Sequence, residues 1–167
     1  MSDPIFHYQY QFLEDGLFRG VNALNLDAKG RMAMPTRYRQ RLADSCHGQM
    51  VITVDNSDRC LLVYPLNEWE VVERRIQKLP SFNKHTRRLQ RLLVGHATDV
   101  EMDTAGRLLV PPPLREFAGL EKKTMLVGQT NRFELWSEDL WNQQRDGWLD
   151  EGGELSDLPP EMETFSL

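Results

Sequence analysis

An aspartate and an arginine four residues apart, with a glycine between them, occur twice in this chain. Residues 24–35 read LNLDAKGRMAMP and residues 100–111 read VEMDTAGRLLVP. Asp27, Gly30, Arg31 and Pro35 recur 76 residues later as Asp103, Gly106, Arg107 and Pro111. The spacing puts a carboxylate and a guanidinium on the two sides of one tight reversal. Such a pair can do two things. As an ion pair it fixes the reversal, contributing about 0–1 kcal/mol at a surface. As an outward fork, the arginine offers a planar, permanent charge suited to a phosphate or a guanine edge. Lys29 adds a second cation at the tip of the first copy, whereas Thr104 and Ala105 add none to the second. The segment after the first turn carries Arg37, Arg39 and Arg41, and its counterpart carries only Arg115. Positive charge is therefore weighted toward the first copy. Lys29, Arg31, Arg37, Arg39 and Arg107 are the expected contacts to a polyanion, and Asp27, Gly30, Asp103 and Gly106 the turn formers.

Other chemistry finds little support. There is no G-x-S-x-G elbow, P-loop, G-x-G-x-x-G or H-E-x-x-H. The histidines at 7, 47, 85 and 96 are scattered, and Ser45 and Ser57 have no partner spacing for a nucleophile. Cys46, His47 and Cys60 match no usual zinc pattern, and Cys60 reads as core. Trp69, Trp136, Trp141 and Trp148 fall at core positions of helices and strands. In KHTRRLQRLL (84–93), arginines alternate with leucines as on a helix with one solvated and one buried face. No enzyme activity, metal, cofactor or small-molecule substrate is expected.

The elements that position the turns repeat as well. Val21–Leu26 and Thr98–Met102 alternate and read as strands with one face buried. The glycines supply positive φ for a hairpin, and Arg31–Met34 and Arg107–Val110 return as the partner strands. Pro35 and Pro111 begin short helices. Next come strands QMVITV (49–54) and TMLVG (124–128), then CLLVY (60–64) and RFELW (132–136), then a helix bearing Trp69 or Trp141. Two helical stretches, Leu66–Leu79 and Asn83–Val94, join the copies, with Asn83 as an N-cap. Each copy of about 45 residues is too small to bury much core alone, so the two must pack together or with other chains.

The 167 residues are 40% hydrophobic and 27% charged, as in a globular protein, with no stretch long enough for a membrane span. The N-terminus lacks the basic and apolar regions of a secretory signal. Two cysteines exclude a disulfide scaffold. The net charge of −5 hides a division: three acids and no bases lie in 1–17, and seven acids and no bases in 146–167. The remainder carries 20 basic and 15 acidic residues. A basic body between acidic ends is compatible with a polyanionic partner. Beyond Gly147 the Gly-, Pro- and acid-rich sequence reads as a mobile tail.

FRGVNALNLDAKGRMAMPTRYR, RRLQRLLVGHA, MDTAGRLLVP and MLVGQTNRFELW together resemble the MraZ family of transcriptional regulators. The two copies resemble the DNA-binding half-barrels of the AbrB-like (SpoVT/AbrB) superfamily, over about residues 18–145. The resemblance implies an α+β fold of two pseudo-twofold-related ββαββ repeats, of the double-split β-α-β type, around a small barrel-like core with flanking helices. It divides the chain into an extension (1–17), repeat 1 (21–68), a helical linker (69–96), repeat 2 (97–140) and an acidic tail (147–167). Residues 1–17 precede the usual family start near Phe18-Arg19-Gly20. They are expected to be a disordered appendix or the product of a mis-set translation start, with Leu17 standing where an initiating residue is expected. The resemblance further implies a cytoplasmic, nucleoid-associated, ring-forming homo-oligomer. Such a ring would bind direct repeats in double-stranded promoter DNA of the division and cell-wall cluster containing its own gene, generally as a repressor. It places Asp27–Arg31 and Asp103–Arg107 on the DNA-facing surface. The alternative is a non-catalytic interaction scaffold whose basic body docks an acidic protein.

Overall fold

The computed structural model describes residues 17–151 and 160–162. The described residues form eight strands: β1 (Phe18–Asn25), β2 (Arg31–Ala33), β3 (Gln49–Val54), β4 (Leu61–Pro65), β5 (Thr98–Glu101), β6 (Arg107–Leu109), β7 (Lys123–Thr130) and β8 (Arg132–Ser137). The helices are α1 (Thr36–Cys46), α2 (Leu66–Gln77), α3 (Lys84–Leu89), α4 (Pro112–Phe117) and α5 (Glu138–Asp150). A one-turn 3₁₀ helix covers Pro160–Met162.

The two copies do not fold side by side; they interleave. Six strands form an antiparallel sheet in the order β1-β7-β8-β4-β3-β5, and β2 pairs with β6 in a separate ribbon. Only β3·β4 and β7·β8 are pairings within a copy. The pairings β1·β7, β3·β5, β4·β8 and β2·β6 all cross between copies. With β1, β2, β3 and β4 equivalent to β5, β6, β7 and β8, the sheet order is unchanged on reversal. The pseudo-twofold axis runs through the ribbon where Met32 faces Leu108, residues 76 apart.

This arrangement corrects the expected hairpins. The chain does reverse at each Asp-x-x-Gly-Arg, but β1 does not return onto β2, nor β5 onto β6. A three-residue strand paired only with its own neighbour would bury little. Paired across the axis, β2 and β6 instead set Met32 and Leu108, both 0% exposed, into the common core. That core is lined by residues of both copies, including Met34, Leu42, Ile52, Val63, Val110, Leu114, Leu126 and Phe133. The curled sheet and the ribbon enclose it with α1 and α4. The opposite face of the sheet holds two smaller clusters: Trp69 and Ile76 of α2 pack on Val51, Leu62 and Tyr64, and Trp141 of α5 packs on Val127 and Trp136.

Helix ends follow local chemistry. Pro35 and Pro111 stand just before the first helical residue, at φ −51° and −57° with extended ψ. Asn83 caps α3: its Oδ1 accepts from the backbone N–H of His85 at 2.8 Å. The helix expected to continue to Val94 widens into a π turn over Gln90–Val94. Helix α5 runs to Asp150, so residues 147–150, expected to belong to the tail, finish this helix. Trp148 is not core as expected; it is 44% exposed, because it sits on the last turn of α5, where only its edge reaches Trp136 and Trp141, both at 5.9 Å. The rest of the expected extension and tail (1–16, 152–159 and 163–167) lies outside the described residues.

Because four of six strand pairings join the copies, neither half holds its own sheet together. A fragment ending at residue 96 is expected to be unfolded by circular dichroism and to gain strand signal only when mixed with the complementary fragment. Leu108→Ala, which empties the centre of the core, should cost about 2–5 kcal/mol in denaturant unfolding.

Candidate nucleic-acid interface

The turns are built by their aspartates. The Asp27 N–H donates to the Arg31 carbonyl at 2.9 Å and the Gly30 N–H to the Asp27 carbonyl at 3.0 Å. Closing so tightly needs a left-handed residue, and Gly30 has φ 80° and Gly106 φ 75°. Asp27 Oδ1 then accepts the backbone N–H groups of Lys29 and Arg31, both at 2.9 Å. Its Oδ2 accepts Arg31 Nε–H at 2.7 Å. The second copy repeats every bond: Asp103 Oδ1 accepts from the N–H of Ala105 and of Arg107 at 2.9 Å, and Oδ2 from Arg107 Nε at 2.8 Å. The backbone N–H of Arg31, helped by the other donors, lowers the Asp27 carboxyl from 3.8 to about 2. The Arg107 N–H likewise leads in lowering Asp103. Both carboxylates stay charged wherever the protein is folded near neutrality.

The ion-pair use and the outward-fork use of the arginine are therefore compatible. Only Nε of each guanidinium bonds to the aspartate. Among the described residues, Nη1 and Nη2 of Arg31 and Arg107 have no hydrogen-bond partner. The pairing aims each fork as well as holding the turn.

The interleaved strands bring the two arginines onto one surface. In the ribbon Arg31 faces Leu109 and Ala33 faces Arg107. Alternation sends Met32 and Leu108 inward and leaves Arg31, Ala33, Arg107 and Leu109 on the outer face. The arginines occupy diagonal corners of it, with side chains 27% and 38% exposed. Leu109 is 49% exposed beside Arg31. The site is thus one two-stranded ribbon with two cationic corners, not two separate hairpin tips. Lys29 is exposed at the first turn.

Arg39 lies beside the ribbon and Arg37 against β1, and both hold the fold. Arg37 Nη2 donates to Asn22 Oδ1 on β1, and its guanidinium lies 4.7 Å from the Tyr38 ring centroid. Arg39 Nε donates to the Met34 carbonyl at 2.6 Å. The Arg39 side chain covers Gly106 so closely that a Cβ there would collide with it. The pseudo-twofold mate of Arg39 is Arg115, which covers Gly30 in the same way. Each turn glycine is thus capped by an arginine from the other copy. Arg115 was not among the expected site residues, although the 76-residue offset that links the turns also links it to Arg39.

Arg87 and Arg88 of α3 and Arg91 of the π turn are exposed, away from the leucine face. Among the described residues, the groups close enough to share a metal ion are Asp55, Cys60 and Glu134; Cys46 and His47 are not among them. Cys60 is fully buried and its thiol pKa is pushed up by that burial, while Glu134 accepts a hydrogen bond from Trp136 Nε1 at 2.9 Å.

Two outcomes follow from the turn geometry. Gly30→Ala combines a strained φ with a collision against Arg115 and should cost about 1–3 kcal/mol in thermal or denaturant unfolding. Asp27 has a lowered pKa when folded, so its contribution is complete above the ordinary carboxylate range and is lost as pH falls toward 2. The melting-temperature gap between wild type and Asp27→Asn should hold steady from pH 7 to about 5 and shrink between about pH 4 and 2. A gap independent of pH would contradict the assignment.

The family model for an antitoxin-like MraZ protein matches residues 17–92 and again 93–151. A transcriptional regulator MraZ of Halorhodospira halophila is 55% identical over 152 residues, which is 90% of this chain and all of the relative. The corresponding regulator of Thioalkalivibrio sulfidiphilus is 56% identical over 151 residues, with the same coverage. That of Pseudomonas aeruginosa is 52% identical over 151 residues, again 90% of this chain and all of the relative. These are regulators, not enzymes. A twice-repeated match and identity above one half along nearly the whole chain establish that this protein belongs to the MraZ family.

Proposed function

We propose that the protein is a sequence-specific, double-stranded DNA-binding transcriptional regulator that uses the outer face of the β2–β6 ribbon to enter the major groove. The observation that carries this reading is the placement of two aspartate-aimed guanidinium groups on one face of a two-stranded ribbon. A major groove about 12 Å wide admits such a ribbon. A fork with both Nη groups unspent suits O6 and N7 of guanine. Lys29 supplies a phosphate contact that sets register, and Arg37 and Arg39 add positive charge at the margin.

One ribbon makes few base contacts. The reading therefore includes a homo-oligomeric ring that presents several ribbons to neighbouring direct repeats, raising their effective concentration. The family resemblance supports a promoter upstream of the division and cell-wall gene cluster containing the protein's own gene as the target, repression as the outcome, and the cytoplasmic nucleoid as the location. No helix of the described residues is long and apolar enough to cross a membrane.

The test is footprinting and gel-shift titration on the DNA upstream of its own gene. Arg31→Ala removes a bidentate contact worth about 1–3 kcal/mol. Multiplied around a ring, this should abolish the shift while sedimentation shows the oligomer intact. Unchanged binding by folded Arg31→Ala contradicts the reading and favours an interaction scaffold. Removing residues 152–167, which keeps α5 whole but takes away four acids, should strengthen binding to unrelated DNA at low salt. Unaltered or weaker binding counts against a repulsive role for this segment.

A further inference from the structure

The two turns are copies, but the arginines that cap them differ in one respect. Arg39 over Gly106 spends its Nε on the Met34 carbonyl at 2.6 Å. Arg115 over Gly30 has a buried Nε with no partner. Among the described residues its guanidinium makes no hydrogen bond or ion pair. It borders a cavity of about 430 Å³ beside the first turn, lined also by Asp27, Gly30, Leu120, Glu121 and Lys122.

A buried guanidinium donor left unbonded is costly, and the charge itself is never lost. Native structures seldom leave such a group idle unless a ligand completes it. The cavity's charges narrow the ligand. Asp27 is already occupied by two backbone N–H groups and Arg31 Nε. That leaves Arg115 and Lys122 against Glu121, with Lys29 exposed at the same turn. Two lining cations against one unpaired carboxylate, with Lys29 on the same turn, favour an anion. Gly30 lets the Arg115 guanidinium lie flat against the turn at the cavity wall, where a Cβ would collide with it.

We infer that this cavity holds a backbone phosphate of the bound duplex, with Arg115 as its principal ligand and Lys122 and Lys29 at its rim. The inference rests on the ribbon-in-groove reading and deepens it. The phosphate clamp belongs to the first turn, where Arg115 Nε is unbonded; at the second turn the Met34 carbonyl takes Arg39 Nε, and Ala105 stands in place of Lys29.

The test uses the full-length protein and a duplex enriched by the wild type from a random pool. Wild type, Arg115→Gln, Arg115→Lys and Arg31→Ala are titrated from low to moderate salt, with melting curves for each. Losing one phosphate contact should make the log K against log salt slope shallower by about 0.9 for each engaged protomer in Arg115→Gln. Arg115→Lys keeps the charge and should keep most of the slope while losing affinity. A duplex with single neutral methylphosphonate linkages should show one position that weakens wild type but not Arg115→Gln.

A merely structural Arg115 would lower melting temperature and reduce affinity equally at every salt concentration. That result, or an unchanged methylphosphonate profile, overturns the proposal. If Arg115→Gln does not fold, Arg115→Lys that binds as tightly as wild type at every salt concentration, with the same methylphosphonate profile, overturns it. Binding of inorganic phosphate to the DNA-free protein, lost in Arg115→Gln while the DNA slope stays the same, assigns the cavity to a free anion and also overturns it. The underlying reading fails separately: then Arg31→Ala binds as well as wild type, or the pool yields no duplex.

Discussion

The pairing of β2 with β6 is the constraint on which the molecule depends. Each strand is three residues long, and each finds its partner only in the other copy. The ribbon has one correct register. In that register Met32 and Leu108 meet at the centre of the core, and four side chains are left facing outward. The ladder continues past the ribbon: the Met34 N–H donates to the Gly106 carbonyl at 2.8 Å, and the Val110 N–H to the Gly30 carbonyl at 3.0 Å. Each strand thus ends on the turn of the other copy. Core packing, turn closure and the position of both arginines are consequences of one short antiparallel contact.

Within each turn the carboxylate organises the rest. It satisfies two backbone donors that would otherwise face solvent at a tight bend, and it fixes the guanidinium through a single nitrogen. A guanidinium held this way loses less conformational freedom on meeting a ligand than a free side chain would. Because the aspartate is ionised throughout the physiological range, the aim of the arginine does not vary with pH there. Surface exposure keeps the pair's contribution to stability small. Its main effect is orientation.

Much of this was legible in the residues. The 76-residue offset gives the turns, the glycines that need positive φ and the pairing of Asp27 with Arg31. The apolar runs at 49–54 and 132–136 give buried strands, and Asn83 gives a helix start. Strand partnership was not legible. A hairpin and a strand exchange place the same local demands on LNLDAKGRMAMP, and the choice between them is made by non-local burial that no single window contains. The tryptophans show a related limit: residue type places Trp148 with Trp136 and Trp141, but the depth of Trp141 and Trp148 depends on where along α5 the sheet stops. Arg115 was noted only as the lone basic residue of its segment, because a single arginine beside Glu116 resembles a solvated surface position. Its value comes from the glycine beneath it, 85 residues away in the chain.

The twofold relation between the copies is not perfect at the ribbon. Lys29 answers to Ala105, Ala33 to Leu109, and the unbonded Arg115 to the spent Arg39. A symmetric backbone therefore displays a face with a head and a tail. In the proposed groove-binding mode, rotating such a face by half a turn on a duplex would exchange unlike groups, so its two docking directions would differ in energy. A row of such faces would keep its contacts only when every target points the same way along the double helix.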